Sequence, residues 1–216
     1  MTLEGRPIFD ISPRLSPRLG VFPGDTPFAQ QVAMSFEQGH HLKLSAVTTT
    51  LHLGAHVDAP SHYLRGGTEI ADVDVRRYLG PCDVVSCRPA VGGVVTRQHL
   101  PESFRPRTTR VLLHTGSFGD PERWASDFAG VDPDVVDWLA DCGVNLLGID
   151  TPSVDPESSK TLDAHKRVAA RGLSILEGII LSGVPDGCYD LIALPLAIEG
   201  GDASPVRAVL MGPRQG

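Results

Sequence analysis

The sequence predicts a mixed α/β protein dominated by sheet, built as one domain over residues 1–216 with its helices packed outside. Three observations predict it. Short apolar, β-branched runs recur along the chain and outnumber the stretches with helical spacing. Gly and Pro number 23 and 18, about a fifth of the chain, against roughly 12% in average usage, so tight turns and ordered loops replace long helices. The length is enough for one substantial core, and neither a linker nor an internal repeat divides it.

Taken in order, residues 20–27 form a rigid turn around Pro23-Gly24. Residues 42–51, Leu-Lys-Leu-Ser-Ala-Val-Thr-Thr-Thr-Leu, alternate and read as a strand running into a histidine-rich segment. Residues 83–87 and 111–115 are short apolar strands. Asp132 and Pro133 open a helix, as a cap residue followed by Pro at the first position. Val135, Val136, Leu139 and Cys142 share its inner face, and Gly143 ends it. Residues 144–148 follow as a buried strand, and 161–171 as a helix stopped by Gly172. Residues 174–181, 189–198 and 206–211 read as further strands. No long βαβ alternation is sustained, so two sheets with helices outside are expected.

A net charge of −7 leaves no basic patch and argues against nucleic acid as a partner. No apolar run is long enough to span a membrane, and the start, Met-Thr-Leu-Glu-Gly-Arg-Pro, has no signal-peptide core. Cys82, Cys87, Cys142 and Cys188 are dispersed without a Cys-x-x-Cys pair, which reads as buried free thiols in a cytoplasmic protein.

Residues 52–62 carry the chemistry. His52, Gly54, His56, Asp58, Pro60 and His62 alternate with Leu53, Ala55, Val57, Ala59 and Ser61. An extended chain would send three imidazoles and one carboxylate to the same side. Such nitrogen and oxygen ligands suit zinc or manganese. A helical protease site is excluded, because residue 53 is Leu rather than Glu and Gly54 and Pro60 oppose a helix interior. Four extended residues span roughly 13 Å, long for two ligands of one ion, so Gly54 is expected to bend the chain. One His in a half-buried strand would be unremarkable; three with an Asp are not. His52, His56 and Asp58 give three protein ligands and an open position, the catalytic arrangement.

Other candidates lie far away. Asp150, with Thr151 and Pro152 after it, reads as a turn cap, Asp163 as a solvated or paired carboxylate and His165 as a surface histidine. Glu177 stands out, because apolar residues flank it and a carboxylate there needs a partner. His40, His41 and His99 carry no pattern, and His114 is at most a partner behind the ligands.

The segment His52-Leu-Gly-Ala-His56-Val-Asp58-Ala-Pro60-Ser-His62 resembles the signature His-x-Gly-Thr/Ala-His-x-Asp-x-Pro-x-His of the cyclase-like metal-dependent amidohydrolase family. Other landmarks match along nearly the whole chain, among them Gly148-Ile-Asp-Thr-Pro-Ser153 and Asp202-Ala-Ser-Pro-Val-Arg207. Ser159-Lys-Thr-Leu-Asp-Ala-His165 and Leu173-Ser-Ile-Leu-Glu-Gly178 favour the kynurenine formamidase branch. The resemblance implies a swivelling β/β/α fold, a homodimer and two divalent ions, zinc before manganese. By it, His52, His56 and Asp58 hold the first ion, Asp58 bridges, and His165 and Glu177 complete the second. His62 becomes the general acid/base. Two positions depart from the family: Phe22 stands where the formamidases carry a substrate-contacting Trp, and Leu53 where Thr is usual.

The expected reaction is metal-dependent hydrolysis of N-formyl-L-kynurenine to L-kynurenine and formate. Imidazole ordinarily titrates near pH 6.5 and can exchange a proton near neutrality. No Gly-x-Ser-x-Gly elbow is present to supply a serine nucleophile. Two alternatives stay open: a sibling enzyme that opens a cyclic amide or cleaves another small amide, kept alive by Phe22, and a non-catalytic metal-binding protein with a closed ligand shell.

Overall fold

In the computed structural model, which describes residues 5–212, strands outnumber helices as expected. The reading of the N-terminal stretch rests partly on residues 1–4, outside the described residues. The strands are β1 (Ile8–Asp10), β2 (Ala29–Met34), β3 (Leu44–Thr48), β4 (His56–Asp58), β5 (Leu79–Ser86), β6 (Val94–Val95) and β7 (Arg110–His114). They continue with β8 (Gly130–Val131), β9 (Leu146–Ile149), β10 (Ser174–Glu177), β11 (Gly187–Ile192), β12 (Ala203–Pro205) and β13 (Val209–Met211). The helices are α1 (Pro60–Tyr63), α2 (Pro133–Asp141) and α3 (Asp163–Arg171).

Two main sheets were expected; one strongly curled sheet of nine strands forms instead, in the order β1-β13-β11-β5-β7-β9-β10-β4-β12. The reason lies in its centre, where β5, β7, β9 and β10 run parallel. Two of these steps cross over through α2 and α3, which lays both helices on one face. Antiparallel strands then extend the sheet on both sides. Strand alternation divides the core accordingly. Val111, Leu113, Leu147, Ile149 and Ile175 pack with Val135, Val136, Leu139, Ala164 and Val168 of the helices. Leu112, Leu146 and Leu176 point the other way, towards Val57, Leu191 and Leu210.

Asp132 caps α2 by accepting from the Asp134 N–H at 2.8 Å, with Pro133 in the first turn, as the sequence indicates. Cys142, expected on the inner face, is exposed, because it occupies the C-cap where the chain leaves the helical path. Cys82 and Cys87 are buried thiols, as expected. Several strands stop short of their apolar runs because the next backbone groups bond elsewhere. Gly178 N–H donates to Thr151 O, Ile180 N–H to Ile11 O and Ala193 N–H to Tyr78 O. The turn at Pro23-Gly24 closes with Asp25 N–H donating to Phe22 O at 2.9 Å.

Beyond the main sheet, β6 and β8 pair in parallel, and β2 and β3 form an antiparallel ribbon. That ribbon is exposed along nearly all of its length, on both faces. Among the described residues, no helix is long and apolar enough to cross a membrane.

Candidate metal centre

Strand register assembles the first part of the site. In the antiparallel pair β4–β10, His56 lies opposite Glu177 and Asp58 opposite Ile175. Directly paired residues share a face, so His56, Asp58 and Glu177 all look towards the helix side. There α3 presents His165 from its buried stripe beside Ala164 and Val168. As Gly54 led one to expect, the extended chain breaks at the site. Only His56–Asp58 is strand; His52 sits in the preceding turn and His62 on α1. Gly54, at φ +62°, supplies the expected bend, and the His52 and His56 rings come within 5.1 Å.

Five side chains thereby converge. His52 Nδ1 lies 3.1 Å from Asp58 Oδ1, and His56 Nε2 lies 3.5 Å from that oxygen and 3.2 Å from Glu177 Oε2. His165 Nε2 lies 3.3 Å from Asp58 Oδ2 and 3.7 Å from Glu177 Oε1. Bonds of 2.0–2.1 Å at a tetrahedral ion put neighbouring ligand atoms about 3.3 Å apart, the same range. Asp58 stands between the groups, one oxygen towards His52 and His56 and the other towards His165.

Outer partners fix which ring atoms face inward. His56 Nδ1 meets Gly54 O at 2.8 Å, and His165 Nδ1 meets Asp155 Oδ2 at 2.6 Å. With a proton on each Nδ1, the Nε2 lone pairs point at the carboxylates. Asp155 also accepts from the Ala164 and His165 N–H groups, pinning the first turn of α3. Glu177 Oε1 accepts from Val154 N–H at 2.5 Å. Asp58 Oδ1 is fully buried yet accepts no hydrogen bond, since the nearby imidazole nitrogens are close but not aimed as donors. A buried carboxylate oxygen without a donor suits a cation, and the residues present fit a divalent ion.

The electrostatics agree. Burial opposes charge on Asp58, but contacts with His165 and His52 outweigh it and hold the carboxyl well below its usual range. Burial likewise opposes charge on the two imidazoles, yet His165 is raised to about 10 by Asp155 and Asp58, and His52 to about 9 by Asp58 and Asp202. Carboxylates dominate the cluster, so it attracts positive charge, as protons or as metal.

His62 lies one ring further out, 4.2 Å from the His52 centroid and about one-third exposed. A cavity of about 300 Å³ opens over the cluster, lined by Phe22, His62, Trp124, Phe128 and Glu177. Phe22 is half exposed and meets Trp124 edge-on at 5.8 Å.

The remaining candidates fall outside the cluster. Asp150 accepts from Thr115 and Gly116, so instead of capping its own turn it ties down the distant loop after β7, and Thr151 donates to Ser153 O. Pro152 lines the cavity. Asp163 accepts from Thr161. His114 lies 3.9 Å from Asp150 and supports none of the five converging residues. His40 bonds Ser35 and His99 caps with Thr96, both structural. His165, read by itself as a surface residue, is buried. Asp155, Trp124 and a role for Asp202 escaped the sequence reading; no spacing or periodicity marks them, since each reaches the site through tertiary contact.

Comparison with known proteins agrees with this architecture. A family model described as "Putative cyclase" matches residues 9–156. A structure titled as a potential metal-dependent hydrolase with cyclase activity is similar at 23% identity and TM-score 0.82, covering 97% of this chain and all of its own. A predicted metal-dependent hydrolase from Bacillus stearothermophilus gives 23% and 0.81, covering 96% and 98%. Isatin hydrolase A from Labrenzia aggregata gives 20% and 0.75, covering 97% and 94%. With the family model matched over more than half of its length, the chain belongs to the Cyclase family.

Proposed function

We propose that this protein is a metal-dependent hydrolase of a small aromatic amide, with N-formyl-L-kynurenine as the substrate and kynurenine and formate as products. The observation that carries the reading is the buried Asp58, set between two His groups and Glu177 beneath a cavity walled by aromatic rings. His52, His56 and Asp58 would hold one divalent ion, zinc or manganese, and Asp58, His165 and Glu177 a second. Ions held there would lower the pKa of water and polarise the amide carbonyl.

The chain's own residues supply the rest. Phe22 and Trp124 wall the cavity and orient the aromatic ring. His62, at the edge of the cluster, takes a proton as water adds to the carbonyl carbon. It returns that proton to the nitrogen as the C–N bond breaks, giving the free amine and formate. His56 and His165 stay fixed through Gly54 O and Asp155.

A second reading is hydrolytic opening of a cyclic amide. It draws support from Phe22, smaller than the Trp of the resembling formamidases, and from the fold likeness to isatin hydrolases. Formate release from N-formyl-L-kynurenine, beside ring opening of isatin, each with and without chelator, separates the two. Chelator-insensitive turnover of either would sink the metal mechanism.

We also infer that the active form is a homodimer joined through the β2–β3 ribbon. Val32, Phe36, Leu44 and Val47 are exposed there, and residues 26–48 carry only Glu37 and Lys43 as charged side chains. An isolated two-stranded ribbon is marginally stable, and charge depletion marks interface cores. The ribbon and its connection reach roughly the 20–30 residues that one side of a standard interface needs. Two copies of a chain at −7 would repel elsewhere, so this neutral arm is where they can meet.

A further inference from the structure

Asp202 lies at the mouth of the site, in the turn just before β12. Its Oδ2 is 3.2 Å from His52 Nε2 and 3.4 Å from His62 Nδ1, so one oxygen touches both rings. The backbone holds it there. Asp202 O accepts from Ala59 N–H at 2.9 Å, beside β4, and Gly201 O accepts from Ile70 N–H. Gly201 is packed so closely that a Cβ would lie 2.9 Å from Ile70 Cγ2 and 3.0 Å from Ile198 O. The carboxylate is therefore half exposed at its tip but anchored at its base.

We infer that Asp202 is a positioning residue that couples the metal centre to the acid/base group, by holding the outer nitrogen of His52 and the Nδ1 of His62 on a single carboxylate oxygen. On the His52 side, a proton on Nε2 bonded to Asp202 leaves Nδ1 unprotonated and facing Asp58. That is the outer half of a carboxylate–histidine–metal relay. On the His62 side, a proton on Nδ1 leaves Nε2 as the free base, the atom that can face the cavity. A free imidazole has no such bias, so without Asp202 both rings can flip or change tautomer. The inference rests on the proposed hydrolase reading for the role of His62, but its structural half stands on the histidine geometry alone.

The test uses full-length, zinc-loaded protein and Asp202→Asn, which keeps shape while removing charge. Two readouts need no substrate. Ring-nitrogen NMR should show His62 protonated on Nδ1 in the parent and redistributed towards Nε2 in the variant. Competition with a chelator should show zinc held about 10- to 100-fold more weakly, the usual cost of removing such an outer partner. With N-formyl-L-kynurenine, kcat should fall by a similar factor at little-changed KM. In a His62→Ala background, with zinc kept saturating so that weaker binding through His52 leaves occupancy unchanged, the substitution should cost no further rate. An Asp202→Asn protein with parent tautomer and parent zinc affinity overturns the inference. So do losses that multiply in the double variant, which would mean that Asp202 acts by another route. Near-parent activity in His62→Ala alone overturns the acid/base role of His62, and a metal-loaded parent that releases no formate overturns the hydrolase reading, while the tautomer and zinc results still judge Asp202 and His52.

Discussion

Glu177 stands directly across the sheet from His56, and its Oε2 lies 3.2 Å from His56 Nε2. One cross-strand pair thus joins residues far apart in sequence and sets the depth of the site. It ties the proposed ligand set to both strands.

Purified protein is expected to carry up to two divalent ions per chain. Asp58→Ala should lose most of them, because both groups of ligands share that carboxylate. Glu177→Gln should lose about one. Elemental analysis after dialysis measures both, and unchanged metal in Asp58→Ala would remove it from the bridging position.

His62→Ala should keep its metal and lose about 10²–10⁴-fold in kcat, the typical worth of general acid/base catalysis. Rate and metal content measured on one preparation check it. Metal loss with this substitution would make His62 a ligand rather than the proton carrier.

Phe22→Ala should raise KM severalfold while leaving the melting temperature nearly unchanged. The ring is half exposed and contributes mainly an edge contact with Trp124, and such pairs are worth roughly 0.5–1.5 kcal/mol beyond burial. Phe22→Trp should retain activity. A large drop in melting temperature with KM unaltered would show that the residue serves folding.

Chelator-treated protein should have a pH-dependent stability that metal-loaded protein lacks. His165 and His52 are raised to about 10 and about 9, above their unfolded value near 6.5. Their stabilisation is complete below about pH 6.5 and disappears as pH rises through 9–10. Asp58 is depressed, so its contribution is present above about pH 4 and disappears on acidification. The melting temperature without metal should therefore peak between about pH 4 and 6.5 and fall towards pH 10. An equal alkaline fall in the loaded protein would show that protons, not metal, occupy the cluster.

Val32→Asp together with Leu44→Asp should convert a dimer into a monomer without changing the far-ultraviolet dichroism. Light scattering coupled to size exclusion measures it. A parent protein already monomeric at micromolar concentration would count against the arm as the dimer contact.

The sequence by itself determined the strand-rich α/β class, the α2 cap at Asp132 and Pro133, the stop of α3 at Gly172 and the bend at Gly54. Each depends on local backbone preference or on periodic burial, which neighbouring residues encode. It also marked His52, His56, Asp58 and His62 as a group, because they fall within one short segment. Glu177 stood out by its apolar flanks, but its place beside His56, like that of His165, entered only through resemblance to a family, and by itself His165 looked like a surface residue. The tertiary structure alone decided that β4 pairs with β10 in the register that sets His56 against Glu177, and that α3 turns His165 inward. It alone brought Asp155 behind His165 and Asp202 onto His52 and His62. It also merged two expected sheets into one and left the β2–β3 ribbon bare. The physical reason is common to all of these. Pairing register and crossover packing are chosen by the summed burial and hydrogen bonding of distant segments, and no single segment carries that sum.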